Sequence, residues 1–291
     1  MKKKIASIIL LLCLMIISGC RSTNGNPTTL KQSDQSSNTS KTNDKSVTPT
    51  LFIHGYSGTV NSFRGMIHRL ENQQFAQKEM VITVQSDNSL QVDGELSNAK
   101  TNPMIQVLFT DNKNNEWNQT EWIYTVLKYL KAHDVKQVNI VGHSMGGVSA
   151  FRFLTTYGGA PDSPIIRKLV AIGSPFNDFI DTSDLQSEDD LFQKGPSQES
   201  ARYIDFKNGI DNVPASVSIL LLAGKLDTKT FNDGTVPVTS ALSIYSLLQE
   251  NGNPIRQEIF TGPDAQHSLL HENTAVDHQI VQFLWEKNQG F

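Results

Sequence analysis

Val138-Asn139-Ile140-Val141-Gly142-His143-Ser144-Met145-Gly146-Gly147 is the stretch that decides the fold. Residues 138–141 are mainly apolar and β-branched, as in a buried strand, and a helix-like segment follows to about Tyr157. The G-x-S-x-G spacing between them is that of a sharp strand-to-helix turn, which holds the serine hydroxyl clear of the sheet. Side chains two positions before and after the serine would clash in such a turn, so glycines are needed there. The stretch therefore predicts a nucleophilic serine at Ser144.

Short apolar runs along the rest of the chain predict further strands. They are nearly uniformly apolar rather than alternating, which is typical of strands covered on both faces. The predicted strands are residues 50–53, 80–84, 104–109, 138–141, 168–172, 217–223 and 257–260, and the predicted helices are residues 120–133, 145–157, 240–248 and a last one around 276–284. Asn273 or Thr274 is the expected N-cap of that last helix. This alternation favours an α/β fold with a mainly parallel central sheet and helices on both faces.

Four stretches spread over the folded part resemble the α/β-hydrolase superfamily, and within it the lipase-like cell-surface hydrolases of Gram-positive bacteria. They are residues 52–58 (FIHGYSG), 139–147 (NIVGHSMGG), 232–237 (NDGTVP) and 266–268 (QHS). The resemblance implies an α/β-hydrolase fold with a cap or lid insertion. It also implies a Ser-His-Asp triad that cleaves carboxylic esters through an acyl-enzyme, without a cofactor.

The other two triad residues follow from the order of the triad in this fold, which is serine, acid, histidine. The base is expected after the last strand, where His267 comes first, His271 is a rival one helical turn later, and His278 is interpreted as a surface residue. Two aspartates follow the preceding strand. Asp227 is nearer the strand end, whereas Asp233 lies in an Asn-Asp-Gly run that holds the triad acid in similar bacterial lipases. We assign Asp233 and His267 and keep Asp227 and His271 as alternatives.

The resemblance also implies an oxyanion hole, in which two backbone N–H groups stabilise the negative charge on the reacting carbonyl oxygen. In the superfamily one N–H belongs to the residue after the nucleophile, here Met145. The other belongs to the loop after an early strand, here at Tyr56. We interpret His54 and His143 as residues that brace these loops by hydrogen bonds.

An acidic insertion at about residues 174–214 interrupts the alternation of strands and helices. Its apolar residues are scattered, and a structureless segment of such length in a compact domain is typically functional or disordered. Hydrolases with this fold commonly carry caps or lids at this place. We therefore expect either a lid that contacts acyl chains or a solvated acidic loop.

The first twenty residues have the pattern of an export signal. Three lysines at positions 2–4 precede the apolar residues 5–17, a run too short to span a bilayer as a helix. The run ends at Ile17-Ser18-Gly19-Cys20, which resembles the bacterial lipobox, so we expect residues 1–19 to be removed and Cys20 to be acylated. Together with Cys20, the polar residues 21–48 predict a disordered tether ahead of a hydrolase domain at residues 49–291. The expected location is the extracellular face of a bacterial cell membrane.

Composition and missing motifs exclude several classes of protein. The 291 residues contain 25 Lys and Arg against 29 Asp and Glu, which leaves no cationic surface for nucleic acid, and two cysteines cannot form a disulfide framework. There is no H-E-x-x-H motif, Cys-x-x-Cys pair or calcium-type loop, and no G-x-G-x-x-G after the first strand. The sequence thus indicates neither a metal ion nor a dinucleotide. The expected partners are a small-molecule or lipid ester and the membrane.

Two other functions stay open at this point. An acyltransferase would use the same triad and differ only in the group that accepts the acyl chain. A non-catalytic surface module could share the fold, since fold alone does not imply function. A binding module, however, has no physical reason to keep a strained serine turn, which costs on the order of 1–3 kcal/mol.

Overall fold

The computed structural model describes residues 45–286. Their nine strands and eight α-helices are β1 Thr50–Ile53, α1 Asn61–Asn72, β2 Gln77–Val84, β3 Leu90–Gly94, β4 Pro103–Phe109, α2 Glu116–Ala132, β5 Gln137–His143, α3 Met145–Tyr157, β6 Ile165–Ile172, β7 Phe176–Phe179, α4 Glu188–Lys194, α5 Ala201–Gly209, β8 Ser218–Lys225, α6 Val238–Ala241, α7 Tyr245–Glu250, β9 Ile255–Thr261 and α8 Thr274–Trp285. All seven predicted strands are present. The predicted signal peptide at residues 1–19, the lipobox Cys20 and most of the predicted tether lie outside the described residues.

Eight of the described strands form one sheet in the order β3-β2-β4-β1-β5-β6-β8-β9. Every neighbouring pair is parallel except β2 and β3, which are antiparallel at one edge. This confirms the prediction of a mainly parallel sheet. The edge strand β3 escaped prediction because Leu90–Gly94 (LQVDG) pairs on one side only and is largely exposed.

Helices cover both faces of the sheet, which explains why its central strands are nearly uniformly apolar and buried. Along β1, Leu51 and Ile53 belong to one buried cluster with residues of α2 and α3. Phe52, which points to the opposite face, belongs to a second cluster with residues of α1 and α8. The fold prediction of helices on both faces is therefore confirmed.

The insertion at 174–214 has regular structure, because it contains β7, α4 and α5. The serine side chains of Ser187 and Ser200 accept hydrogen bonds from backbone N–H groups in the first turns of α4 and α5, as N-caps do. The acidic residues Glu188–Asp190 occupy the first turn of α4, where the helix dipole stabilises negative charge. The helices α4 and α5 themselves were not predicted, because two short capped helices leave little periodic signal.

Two predicted helices differ from the structure. The second helix begins at Glu116 rather than at residue 120, because the side chain of Asn115 caps it by accepting a hydrogen bond from the Asn118 amide. The helix predicted at 240–248 is two helices, Val238–Ala241 and Tyr245–Glu250. Across residues 45–286, no helix is both long and apolar enough to cross a membrane.

Candidate active site

Ser144 lies in the turn between β5 and α3, at the carboxyl end of a central strand. Its backbone has φ +53° and ψ −125°, a conformation that is strained for any residue with a side chain. A Cβ atom at Gly142 would lie 2.5 Å from the Gly147 nitrogen, and one at Gly146 would lie 2.3 Å from the Ile53 carbonyl oxygen. Both glycines are thus required by close backbone contacts, and the turn leaves Ser144 half-buried at the surface of a cleft.

His267 follows β9 after a short loop and bridges the other two predicted triad residues. Its Nδ1 lies 2.7 Å from Asp233 Oδ2, and its Nε2 lies 3.0 Å from Ser144 Oγ. A carboxylate only accepts hydrogen bonds, so Nδ1–H donates to Asp233 and Nε2 is left to accept from the Ser144 hydroxyl. The structure therefore brings Ser144, His267 and Asp233 together in one chain of hydrogen bonds.

Asp233 is held by a tight turn after β8. Its side chain is only 1% exposed, and Oδ1 accepts hydrogen bonds from the backbone N–H groups of Thr235 (2.9 Å) and Val236 (2.6 Å). Its backbone carbonyl accepts a hydrogen bond from the His267 N–H at 2.8 Å. Main-chain and side-chain contacts thus fix the carboxylate against the imidazole.

The two rivals from the sequence occupy other positions. Asp227 is exposed, and its carboxylate accepts hydrogen bonds from the backbone N–H groups of Lys229 and Thr230, which lower its pKa. His271 is largely buried beside the site, with Nδ1 3.2 Å from Glu272 Oε1. Burial lowers the pKa of His271. Among the described residues, neither rival hydrogen-bonds to the Ser144–His267–Asp233 chain.

The loop after β1 packs directly against Ser144. A Cβ atom at Gly55 would lie 2.7 Å from the Ser144 Cβ, so the backbone next to Tyr56 touches the serine. Met145 is the first residue of α3, where the helix dipole favours a negative charge. Within residues 45–286, neither the Tyr56 nor the Met145 amide donates a hydrogen bond to a protein acceptor. Both amides are therefore free to bind a substrate oxygen.

His54 and His143 brace the loops, as expected. The Phe109 N–H donates to His54 Nε2 (3.1 Å), so His54 Nδ1–H donates to the Gly55 carbonyl (2.8 Å). His143 Nε2–H donates to the backbone carbonyl of His267 at 2.9 Å, and the two rings lie 4.7 Å apart. Burial lowers the pKa of His54 and holds the pKa of His143 well below its ordinary value. Both rings are thus neutral hydrogen-bonding groups.

Two cavities open on either side of Ser144, and both are also bounded by Tyr56 and His267. The first, which we call the polar cavity, has a volume of about 350 Å³. The second, which we call the apolar cavity, has a volume of about 380 Å³. The polar cavity is lined by Ser57, Thr59, Asn61, Ser62, Ser268 and His271, and the apolar cavity by Met145, Val148, Pro175 and Phe179 together with Glu116, Arg202 and Thr235.

The chain is similar in sequence and fold to known proteins. The family model described as an α/β hydrolase of unknown function, DUF915, matches residues 37–287. The chain belongs to the DUF915 family. Among solved structures, it is similar to the product of the Listeria innocua gene lin2722, with 29% identity and a TM-score of 0.77 over 84% of this chain and 95% of that one. A cell-surface hydrolase of Lactobacillus plantarum WCFS1 shares the fold, with 23% identity and a TM-score of 0.61 over 81% of this chain and 89% of that one. No curated protein gave a match.

This DUF915 member also contains a supporting ion pair that the sequence did not predict. Arg69 of α1 donates to both carboxylate oxygens of Asp277 on α8, at 2.5 and 3.0 Å, and to Glu272 at 2.8 Å. The same guanidinium donates to the backbone carbonyl of His271 at 3.0 Å. Arg69 therefore fixes the segment that follows His267. No sequence signal pointed to it, because α1 itself was not predicted.

The described part of this family member has no evident metal site. Within residues 45–286, no group of three His, Cys, Asp or Glu side chains is arranged to hold a metal ion.

Proposed function

We propose that this DUF915 protein is a serine hydrolase that cleaves carboxylic esters. The observation that carries the proposal is the hydrogen-bond chain from Ser144 Oγ to His267 Nε2 (3.0 Å) and from His267 Nδ1 to Asp233 Oδ2 (2.7 Å). This is the geometry that activates a serine hydroxyl, because the base faces the nucleophile and is itself oriented by a buried carboxylate. It favours catalysis over a binding role.

The reaction proceeds through an acyl-enzyme. Ser144 Oγ attacks the ester carbonyl carbon while its proton passes to His267 Nε2. The resulting imidazolium is stabilised by the negative charge of Asp233. It then gives the proton to the leaving alkoxide, so that the C–O bond breaks and the alcohol departs. A water molecule, deprotonated by His267, attacks the acyl-enzyme carbonyl. His267 then returns this proton to Ser144 Oγ as the bond between the acyl carbon and Oγ breaks, which releases the carboxylic acid and restores the serine hydroxyl.

The amides of Tyr56 and Met145 form the oxyanion hole in this proposal. Both are free of protein acceptors within the described residues, and both residues border the cavities at Ser144. In related chemistry the loss of one such donor lowers kcat by about 10²–10³-fold. Preorganised donors of this kind are usually the largest single contribution to stabilising the negative charge that develops on the carbonyl oxygen.

The apolar cavity suits the acyl group of the substrate. Met145, Val148, Pro175 and Phe179 line it, and Phe179 comes from the β7 segment of the insertion. Burial of a methylene group contributes about 0.8 kcal/mol, so esters should react faster as the acyl chain lengthens until the cavity is full. In this proposal the insertion contributes to acyl selection. Its contact with the apolar cavity favours the interpretation of the insertion as a cap and not as a solvated acidic loop.

The charged side chains that line the apolar cavity are paired with one another, so they do not contradict an acyl site. Arg202 Nη2 lies 2.5 Å from Glu116 Oε2, and Arg202 Nη1 lies 2.7 Å from Asp178 Oδ1. Arg152, which is 2% exposed, also pairs with Glu116. These charges neutralise one another, so they form a rigid wall rather than a site for an ionic substrate.

Labelling with a fluorophosphonate probe tests the serine. We expect the wild-type protein to be labelled and Ser144→Ala to be silent, while Ser216→Ala, at an exposed turn, keeps full labelling. Circular dichroism checks that each variant is folded. Absence of Ser144-dependent labelling in folded protein would show that the chain is not a serine hydrolase.

Matched pairs of variants test the other two triad residues. With a butyrate ester as substrate, His267→Ala should lose nearly all activity and the exposed His278→Ala should keep it. Asp233→Asn should lower kcat by about 10⁴-fold, because the wrong imidazole tautomer is favoured, whereas Asp227→Asn should not. Activity that persists in Asp233→Asn but not in Asp227→Asn would reverse our choice of acid.

We also propose that the mature protein is anchored by acylated Cys20 to the extracellular face of a bacterial cell membrane. The support is the sequence pattern of a basic start, a thirteen-residue apolar run and Ser-Gly-Cys. Two or more acyl chains give stable anchoring, whereas one alone is marginal. Metabolic labelling with a fatty-acid analogue should mark the wild type and fail in Cys20→Ala. Label retained by the variant would contradict the anchor.

A further inference from the structure

Ser144 lies between two cavities of similar size but different chemistry. The apolar cavity is lined mainly by hydrocarbon groups, although Glu116, Arg202 and Thr235 also line it, and the polar cavity is lined by hydroxyl, amide and imidazole groups. An ester whose carbonyl carbon contacts Ser144 Oγ must direct its acyl group to one side and its alcohol to the other. The acyl group gains from the apolar cavity by burial of hydrocarbon. The alcohol therefore lies in the polar cavity.

The polar cavity offers unused hydrogen-bonding groups. Thr59 and Ser62 are partly occupied, since their hydroxyl oxygens accept backbone N–H groups of the same loop. Ser57, Asn61 and Ser268 are exposed to solvent, and in the part of the chain that the structure describes their side chains form no hydrogen bond with protein, so they are available to a ligand. Together they present two hydroxyls and one amide, which both donate and accept. A hydrocarbon alcohol would use none of them.

The polar cavity also carries no charge. No Asp, Glu, Lys or Arg among the described residues lines it. Its buried imidazoles, His143 and His271, are neutral, because burial lowers the pKa of each. A charged alcohol such as a choline or a phosphate-bearing headgroup would find no counter-ion there, so the cavity gives it no advantage over an uncharged alcohol.

We propose that the polar cavity binds the alcohol half of the ester and that this alcohol is an uncharged polyol. The substrate is then an acylated polyol, either a glyceride or an acylated sugar. This inference rests on the proposed ester hydrolysis at Ser144 and specifies its substrate class. Hydrolysis adds water across the ester bond, with the proton from His267 passing to the polyol oxygen and the acid leaving in the second step.

Four butyrate esters with the same acyl group test the alcohol site. They are glyceryl monobutyrate, glucose 6-butyrate, propyl butyrate and butyrylcholine. The propyl ester is the matched control, because its alcohol, propanol, has the carbon skeleton of glycerol without the two further hydroxyls. We expect kcat/KM for at least one polyol ester to exceed that for propyl butyrate about tenfold or more, which corresponds to two hydrogen bonds. A preference for the glyceryl ester indicates a glyceride as substrate, and a preference for the glucosyl ester indicates an acylated sugar. Equal rates for polyol and propyl esters, or a preference for butyrylcholine, would overturn the proposal.

Variants link the preference to the cavity. The double variant Asn61→Ala/Ser268→Ala should lower the polyol-to-propyl ratio of kcat/KM about tenfold, and Ser57→Ala alone should lower it severalfold. The exposed Ser216→Ala should keep the wild-type ratio. An unchanged ratio in both polar-cavity variants would place the alcohol elsewhere. Fluorophosphonate labelling separates a failure of the alcohol site from a failure of the proposed hydrolase function. If Ser144 is labelled but polyol esters are not preferred, only the alcohol site is refuted. If Ser144 is not labelled, the hydrolase function is refuted.

Discussion

His143 makes the stability of this protein depend on pH. Its ring is 6% exposed, and desolvation, together with the neighbouring His267 and His271, holds its pKa well below the ordinary value of 6.5. Below pH 6.5 the unfolded chain therefore binds a proton at His143 that the folded protein does not bind. The free energy of unfolding should fall as the pH drops from about 6.5 toward the lower pKa of the folded state.

The magnitude follows from proton linkage for one group. At pH 5.5 the unfolded imidazole with a pKa of about 6.5 is mostly protonated, which lowers the free energy of unfolding by about 1.4 kcal/mol, whereas at pH 7.5 the effect is about 0.1 kcal/mol. In His143→Gln neither the folded nor the unfolded protein can bind a proton at position 143, while the glutamine amide can still donate a hydrogen bond to the His267 carbonyl. The stability loss between pH 7.5 and 5.5 should thus be about 1.3 kcal/mol smaller in the variant.

Urea unfolding followed by tryptophan fluorescence at the two pH values measures this difference. Any effect of the substitution on stability that does not depend on pH cancels, because the free energy of unfolding of each protein at pH 5.5 is compared with its own value at pH 7.5. Contributions of carboxylates and of His54 also cancel, since they are common to both proteins. His278→Gln, at an exposed position of α8, is the control and should lose as much stability as the wild type. Equal losses in His143→Gln and the wild type would refute the reasoning that His143 is a buried neutral group.

Two further predictions concern close packing and buried charge. Gly146→Ala places a Cβ atom 2.3 Å from the Ile53 carbonyl, so it should lower stability by about 1–3 kcal/mol and sharply reduce fluorophosphonate labelling, whereas Gly159→Ala, 3.8 Å from its nearest neighbour, should do neither. Glu116→Gln leaves the Arg152 charge, 2% exposed, without its main partner and should lower the free energy of unfolding by about 3–5 kcal/mol. Asp134→Asn, which breaks an exposed ion pair with Lys136, should change it by about 0.5 kcal/mol or less, and thermal unfolding measures both.

The parts of the site that the sequence predicted are those fixed by local chemistry. The clash that requires Gly142 is with Gly147, five residues further along the chain, so it is part of the local turn, whereas Gly146 is required by the distant Ile53 carbonyl of β1. The Asp233 carboxylate accepts hydrogen bonds from the backbone N–H groups of Thr235 and Val236, two and three positions later in the chain, so its orientation is a property of this local turn. Asp227 makes an equally local turn, so spacing alone could not separate the two aspartates.

The parts that escaped prediction depend on long-range contacts or on short elements. The ion pair of Arg69 with Asp277 joins residues 208 positions apart, and nothing in either local sequence indicates the partner. The helices α4 and α5 have seven and nine residues, too few to show a helical period. The two cavities at Ser144 combine loops from distant parts of the chain, so their difference in polarity became visible only in the structure.

The position of His267 shows how these long-range contacts serve the proposed chemistry. Its backbone N–H donates to the Asp233 carbonyl, and its own carbonyl accepts from His143, so the main chain is fixed on both sides of the imidazole. Four residues further on, Arg69 binds the His271 carbonyl and fixes the loop to α1 and α8. Because His267 is held through backbone atoms, the hydrogen-bond chain from Ser144 to Asp233 exists before substrate binds, as the proposed mechanism requires. The neutral rings of His143 and His271 fill the space behind His267 without adding a charge that would oppose its protonation.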